Sequence, residues 1–482
     1  MRRFWLYYIV TVEKGKPVPH AAAGVSPEFY SKPYKEWVTM NAVEQLALFG
    51  GPKAVVEQDE SLFKWPIITE EDEAAAVQVL RDGAMSGTDI TKAFEREFAD
   101  WLGMSYALAF NNGTNALLGA FYGCGVGVGD EIICPSVTYW ASALPAYSLG
   151  ASVVFAEIDP VTLCLDPNDI EHRITDKTKA IVVVHYLGHP ADMDPIMAIA
   201  KKHNLKVIED VSHAQGGYYK GRRVGTIGDV GAMSLMAGKS FAIGEGGIFV
   251  TNDEEIYERA IALGHYERFN ADIRTPYLQP HIGLPYGGYK FRMHQVSSAV
   301  GRVQLKYYDE RIGEIDKAMN RFWDRLEGVP GIRPHRPEKG SGSTMGGWYA
   351  AHGHYVPEEL GGLSVTRFCE AVRAEGVPTQ AGCNIPLHLH PLQHEVDVYG
   401  HGKPTIIANA SRDVRQPKGS LPVSEAIPER VFWIPWFKHY RPEQIDRYAD
   451  AFRKAALQYE ALLPGDTGNP ETVGGWNFFR QK

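Results

Sequence analysis

The chain has 482 residues, 44% of them hydrophobic, and a formal net charge of −9 at pH 7. That length allows a large core and two or three domains, and the acidic balance excludes the basic footprint of a nucleic-acid binder. Five cysteines, Cys124, Cys134, Cys164, Cys369 and Cys383, contain no C-x-x-C pair; they imply no disulfide framework and fit reduced thiols in a cytoplasmic protein.

Residues 1–40 read as an N-terminal extension without sustained periodicity. Its start, M-R-R-F-W-L-Y-Y-I-V-T-V, superficially resembles a signal peptide, but Glu13-Lys14-Gly15-Lys16 interrupts it before any small-residue cleavage site. No later run approaches the roughly 20 apolar residues of a membrane span, so no membrane partner is expected. Thr69–Arg81 reads as a helix opened by the acidic run Glu70-Glu71-Asp72-Glu73, and Thr91–Leu102 as a second with Phe94, Phe98, Trp101 and Leu102 on one face.

Asn111-Asn112-Gly113-Thr114-Asn115 is a polar glycine turn opening a third helix over Asn115–Tyr122. Backbone N–H groups at such a turn, with the helix dipole behind them, bind phosphate. Gly113 permits close approach, Thr114 adds a hydroxyl, and Asn115 reaches the same anion or caps the helix. Gly123, Gly125, Gly127 and Gly129 imitate a dinucleotide fingerprint, but they follow a helix and precede a strand, which is the reverse of the required order. A helix terminus and turn account for them.

Short apolar strands at Glu131–Cys134, Ser152–Ala156, Ala180–Val184, Lys206–Ile208 and Ala232–Leu235 alternate with helices such as Pro195–His203. The pattern is an α/β fold with a mostly parallel sheet covered on both faces. His185 ends one strand and either lines the pocket or is a satisfied core histidine. Asp210 ends another, where open α/β sheets place their ligands. In S-L-M-A-G-K-S-F-A-I-G-E-G-G, Lys239 lies between an apolar strand and a glycine turn, followed by the strand Ile248-Phe249-Val250. Pyridoxal phosphate (PLP) chemistry needs a lysine to hold the aldehyde as a Schiff base and often an aspartate at the pyridine nitrogen; Lys239 and Asp210 supply that pair, with Ser234 as a further phosphate donor. Taken singly, Asp210 is also a turn cap and Lys239 an ordinary turn lysine.

From Phe291 the chain changes character, with amphipathic helices at Met293–Tyr308 and Pro442–Tyr459 flanking short strand-like pieces. This reads as a smaller α+β C-terminal domain over 291–465, after a large domain over 41–290 and before a tail over 466–482. Gly340-Ser341-Gly342-Ser343 reads as a flexible loop within it. His388, His390, His394 and His401 invite a zinc site, but their spacing matches no closed structural set. No metal is assigned.

In order and spacing, these segments resemble the DegT/StrS group of PLP-dependent sugar aminotransferases. The resemblance runs from about Leu46 to about Ala456 and includes C-P-S-V-T-Y-W-A-S, H-Y-L-G-H-P-A-D-M-D-P-I, I-E-D-V-S-H-A-Q-G, G-R-R-V-G-T-I-G-D-V-G, G-Y-K-F-R-M-H-Q-V and L-P-V-S-E. It implies a fold-type-I transferase in which Lys239 forms the Schiff base and Asp210 faces the pyridine nitrogen. It also implies His213 near the cofactor's phenolic oxygen, Tyr139 stacked on the ring, and Gly113, Thr114 and Ser234 in the phosphate cup. His388 lies in a P-L-H segment that relatives place near the active-site mouth, which implies contact with the substrate. Most relatives have asparagine where this chain has Lys290, and that asparagine reaches the partner subunit's cofactor phosphate; a lysine offers a point charge for the same task.

The implied reaction moves an amino group from glutamate or glutamine to a ketosugar, nucleotide- or phosphate-linked in some relatives, in a homodimer with shared active sites. A cyclitol of the inosose type is the alternative acceptor. A noncatalytic PLP-binding protein is the reading from another class. Some relatives carry histidine in place of the lysine and act as dehydratases; Lys239 argues for transamination.

Overall fold

The computed structural model describes residues 44–475, so the extension over 1–40, with its signal-like start, and the end of the tail lie outside the described residues. A seven-stranded sheet organises the larger lobe. In chain order the strands are β1 (Tyr106–Phe110), β2 (Glu131–Pro135), β3 (Ser152–Ala156), β4 (Thr178–Val184), β5 (Lys206–Asp210), β8 (Val230–Ser234) and β9 (Gly247–Thr251), with a small hairpin β6 (Tyr218–Tyr219) and β7 (Arg222–Arg223) between β5 and β8. The spatial order is β1-β9-β8-β5-β4-β2-β3. All neighbours from β8 to β3 pair parallel, and β9 alone runs against the rest.

Burial on both faces explains the unbroken apolar runs such as I-I-C in β2 and A-I-V-V-V in β4. β1 is the strand the sequence reading missed: its Y-A-L-A-F is alanine-rich and carries little strand propensity. It forms because Phe110 opposes Gly247 at the edge of a buried sheet. Helix starts follow the expected chemistry. Thr69 and Asp72 form a capping box on the helix Glu70–Arg81, and the helix Gly113–Gly123 gives way to Gly125 and Gly129, both at φ 81°, in the turn before β2.

The helix Gln295–Arg325 runs well past the expected end at Tyr308 because its two halves serve two cores. Tyr308 belongs to the core under the large sheet, whereas Ile315, Ala318, Met319 and Phe322 belong to a second core. That second core lies against an antiparallel sheet of β10 (Ile332–Pro334), β11 (His352–Tyr355) and β12 (Val431–Trp433) and the helix Pro442–Leu457. Cys383, Leu387, Ile406, Val414, Leu421 and Ile427 pack instead into the large core, so the chain between β11 and β12 crosses back. The Gly340–Ser343 loop, expected to be flexible, is held on the small hairpin: Gly221 N–H donates to Gly342 O at 2.8 Å, and Thr344 N–H to Tyr218 O at 2.9 Å. The start of the tail is docked too, since Ser364 N–H donates to Asp466 Oδ2 at 2.7 Å and Val473 is buried in the second core. Among the described residues no helix is long and apolar enough to cross a membrane.

Candidate active site

The carboxyl ends of β1, β2, β4, β5 and β8 open on one edge of the sheet, joined there by the start of the antiparallel β9. This edge collects Asn111 to Asn115, Tyr139, Asp210, His213, Ser234 and Lys239. Gly113 starts its helix against β8: a Cβ there would lie 2.6 Å from both Cα and Cβ of Ser234, so only glycine fits. Asn112 caps the helix by accepting from Asn115 N–H at 2.8 Å, and Asn115 Nδ2 donates to Asn111 Oδ1 at 2.8 Å. Asn115 is thus a helix-start brace. Gly113 thus sets the start of this helix against Ser234, with Thr114 and Ser234 both half-buried, and the first N–H groups of a helix suit an anion.

Asp210 is 5% exposed. Ser142 Oγ donates to its Oδ2 at 2.7 Å and Ser212 N–H to its Oδ1 at 3.0 Å. Thr138 Oγ lies 3.1 Å from Ser142 Oγ, behind that bond. Asp210 therefore does both things: Oδ1 caps the turn that follows β5 through Ser212 N–H, and Oδ2 is held by Ser142. Ser142 is a partner of Asp210 that sequence reasoning passed over, although it closes the C-P-S-V-T-Y-W-A-S motif.

Lys239 is buried, and burial lowers its pKa to about 8 against the opposing pull of Asp210. An amine so placed is partly unprotonated near neutral pH and nucleophilic. Its Nζ lies 3.9 Å from the ring centroid of Tyr349, and Trp65 Nε1 donates to its carbonyl at 3.0 Å. Gln215 braces the turn: Ser240 Oγ and Phe241 N–H donate to its Oε1 at 2.9 and 2.8 Å, and its Nε2 donates to Ser234 O at 2.8 Å. One buried amide thereby ties the lysine loop to the phosphate-cup serine.

His213 Nδ1 accepts from Leu187 N–H at 3.2 Å, which leaves the proton on Nε2. Burial, with the positive charge of Lys239 nearby, pushes its pKa well below the usual range, so the ring is neutral. Leu187 makes that bond from a left-handed conformation at φ 53°. Tyr139 is half-buried with its ring 5.0 Å from that of Trp140, at the end of the same β2 loop.

Two expected substrate histidines are engaged elsewhere. His185 is fully buried; its Nε2 bonds Glu209 Oε2 at 2.9 Å and its Nδ1 accepts from Ala191 N–H at 3.1 Å. Glu209 also accepts from the N–H groups of Gly225, Ile227 and Gly228. Burial pushes its pKa up, yet His185 and this cage of N–H groups bring it below the usual value. The core reading of His185 holds, and the G-R-R-V-G-T-I-G loop exists to close round Glu209. His388 is buried with Nδ1 at 2.7 Å from Ser136 Oγ and Nε2 at 3.0 Å from Glu425 Oε1. Both ring nitrogens are thus taken within the fold, and the histidine fastens the β2 loop that carries Tyr139 and Ser142. Lys290 is exposed, one residue from Phe291, whose carbonyl accepts from Asn111 N–H at 2.7 Å.

A buried low-pKa lysine, a braced aspartate, a neutral histidine and a glycine-built anion cup fit PLP, whose aldehyde, ring nitrogen, phenolic oxygen and phosphate need these groups. The model of the DegT/DnrJ/EryC1/StrS aminotransferase family matches residues 66–453. The chain is 35% identical over 342 residues to the L-glutamine:2-deoxy-scyllo-inosose aminotransferase of Streptomyces kanamyceticus, covering 68% of this chain and 78% of the relative. It is 38% identical over 235 residues to the GDP-perosamine synthase of Caulobacter vibrioides, covering 48% and 61%. A solved aminotransferase from Psychrobacter cryohalolentis superposes with a TM-score of 0.70 at 31% identity, over 80% of this chain and 97% of that one. Site geometry and family match agree, and the chain belongs to the DegT/DnrJ/EryC1/StrS family of PLP-dependent aminotransferases.

Proposed function

We propose that this aminotransferase moves an amino group from glutamate or glutamine onto the keto carbon of a nucleotide-linked sugar, in the synthesis of an amino sugar. The observation that carries the reading is the pairing of Lys239, buried with its pKa near 8, with an Asp210 held by Ser142 and Ser212. The similarity to a GDP-perosamine synthase favours a nucleotide sugar as acceptor. The similarity to a 2-deoxy-scyllo-inosose aminotransferase supports a second reading, a cyclitol acceptor at the same site.

Bound PLP supplies an electrophilic aldehyde and a ring that accepts an electron pair. Asp210 would hold the proton at the ring nitrogen. Lys239 Nζ would hold the aldehyde carbon and, when not so engaged, would serve as the base for the donor's α-proton. His213 would donate from Nε2 toward the phenolic oxygen, Tyr139 would pack on the ring, and Gly113, Thr114 and Ser234 would hold the phosphate. In this reading the lobe built from 41–290 binds the cofactor and 291–465 walls the pocket. The exposed Lys290 reaches the phosphate of a second subunit in a cytoplasmic homodimer. Enzyme converted to its pyridoxamine form and incubated with a panel of nucleotide ketosugars and inososes tests the reading. Regain of the Schiff-base absorbance with a nucleotide ketosugar supports it, and a response to inososes alone moves the assignment to the cyclitol.

A further inference from the structure

The stretch M-G-G-W-Y-A-A-H over Met345–His352 carries no motif, yet it holds two non-glycine residues in left-handed conformations on either side of Tyr349: Trp348 at φ 55° and Ala350 at φ 54°. A Cβ makes that conformation costly, so it persists where the surroundings impose it, and such positions cluster at functional sites. Here the surroundings are specific. Trp348 is buried in the second core with Nε1 donating to Asp316 Oδ1 at 2.9 Å, and Ala351 packs in the same core. Gly347 is held from two sides, its N–H donating to Gln215 O at 3.1 Å and its carbonyl accepting from Trp436 Nε1 at 3.0 Å. The two reversed residues let Trp348 and Ala351 enter the small lobe's core while Tyr349 between them meets Lys239 and His213 of the large lobe.

Lys239 Nζ lies over the Tyr349 ring, 3.9 Å from its centroid. The His213 ring is 4.7 Å from the same ring, and Trp436 supports it edge-on at 5.6 Å. Among the described residues no hydrogen bond or ion pair holds Nζ. Asp210 acts on it through space, and the neutral His213 offers it no counter-charge. A lysine head on a four-carbon stem has many positions open to it unless something fixes it, and an aromatic face attracts an ammonium most strongly where water is excluded. The Tyr349 face is therefore the contact that places this amine. Burial raises the phenol's own pKa, so the ring stays neutral where the lysine titrates.

We propose that Tyr349 is a positioning residue for Lys239: the face of its ring holds the amine whenever the amine is not bound to the cofactor, and favours it as the ammonium. This rests on the amino-transfer reading above, in which the lysine takes a proton from the donor's α-carbon. While that proton is on Nζ the lysine carries a full positive charge at a buried position, which desolvation opposes. Asp210 is the anion nearby, itself held by Ser142 and Ser212; the ring adds an attraction that draws on none of those hydrogen bonds. The strained neighbours fix the ring, and the ring fixes the amine.

Amine reactivity in the full-length, cofactor-free protein tests this without the reaction. Brief labelling with acetic anhydride across a pH series, with the Lys239 peptide quantified by mass spectrometry, reads the apparent pKa of that amine. Replacing Tyr349 with pentafluorophenylalanine keeps the ring's size and removes its electron-rich face; the pKa should fall by about half a unit to one and a half units. Tyr349→Phe keeps the face and should stay within about 0.3 unit of the wild type. A difluorinated phenylalanine, a milder change, should give an intermediate value and serves if the pentafluorinated protein does not fold. A pKa unmoved or raised by the fluorinated rings overturns the proposal. A Tyr349→Phe shift as large as theirs overturns it too, by giving the role to the hydroxyl. A pyridoxamine form that no ketone consumes would instead defeat the amino-transfer reading, and because that is read in a separate assay the two failures stay apart.

Discussion

Replacing Ser142 by alanine isolates the brace behind the cofactor's nitrogen partner. Ser142 is 1% exposed and its hydroxyl donates at 2.7 Å to Oδ2 of Asp210, whose Oδ1 accepts from the Ser212 N–H. Hydrogen bonds to a charged group contribute about 1.5–3 kcal/mol. If most of that holds Asp210 in the position that serves the transition state, kcat/KM should fall about 10- to 100-fold. The loss should also appear as weaker PLP retention, measured by equilibrium dialysis, without loss of the fold. The decisive assay is a double-mutant cycle with Asp210→Asn. An asparagine oxygen no longer carries the charge that Ser142 stabilises, so Ser142→Ala in that background should cost less than about threefold. A loss as large in the Asp210→Asn background as in the wild type, or no loss in either, would refute a role exercised through Asp210.

Other outcomes follow from the same geometry. Gly113→Ala forces the helix start away from Ser234, where the added Cβ would sit at 2.6 Å; overpacking of this kind costs about 1–3 kcal/mol, and PLP affinity should fall with the thermal midpoint. His388→Ala unfastens Ser136 and Glu425 from each other; it should lower kcat through the displaced β2 loop while the KM for the acceptor stays within about twofold, and a KM effect alone would restore a substrate contact. The buried histidines His189, His335 and His354 adjoin one another, with His335 Nδ1 3.2 Å from His354 Nε2. Burial lowers His189 and His354 to about 4. Their stabilising share is complete above the unfolded value near 6.5 and is lost as pH falls toward 4, because the unfolded chain binds those protons first; about 2 kcal/mol per histidine is gone by pH 5. Urea midpoints at pH 7 and pH 5 measure this, and a midpoint unchanged between them contradicts it.

Much of the site was legible in the sequence because its chemistry uses residue types that are rare in their settings. A lysine between a buried strand and a glycine turn, an aspartate ending an apolar strand, and N-N-G-T at a helix start each announce a function through local pattern. What the sequence could not convey was long-range pairing. Nothing near Ser142 in the chain says that its hydroxyl reaches Asp210, 68 residues on. His388 reads as a pocket histidine until Ser136 and Glu425, 252 and 37 residues away, occupy both its nitrogens. The fold was readable to the same depth. Continuous apolar strands gave the parallel sheet, whereas β1 was hidden by its alanines and the full length of Gln295–Arg325 by a face that changes core midway.

The most direct test of the account is to reduce the PLP-loaded protein with borohydride, digest it, and locate the phosphopyridoxyl group by mass spectrometry. A second buried lysine, Lys438, also has its pKa lowered by burial, to about 7, so the position of the label discriminates between the two. The account predicts the label on the peptide containing Lys239 and none on that containing Lys438. A label on Lys438, or a protein that binds PLP and carries no label at all, would contradict it.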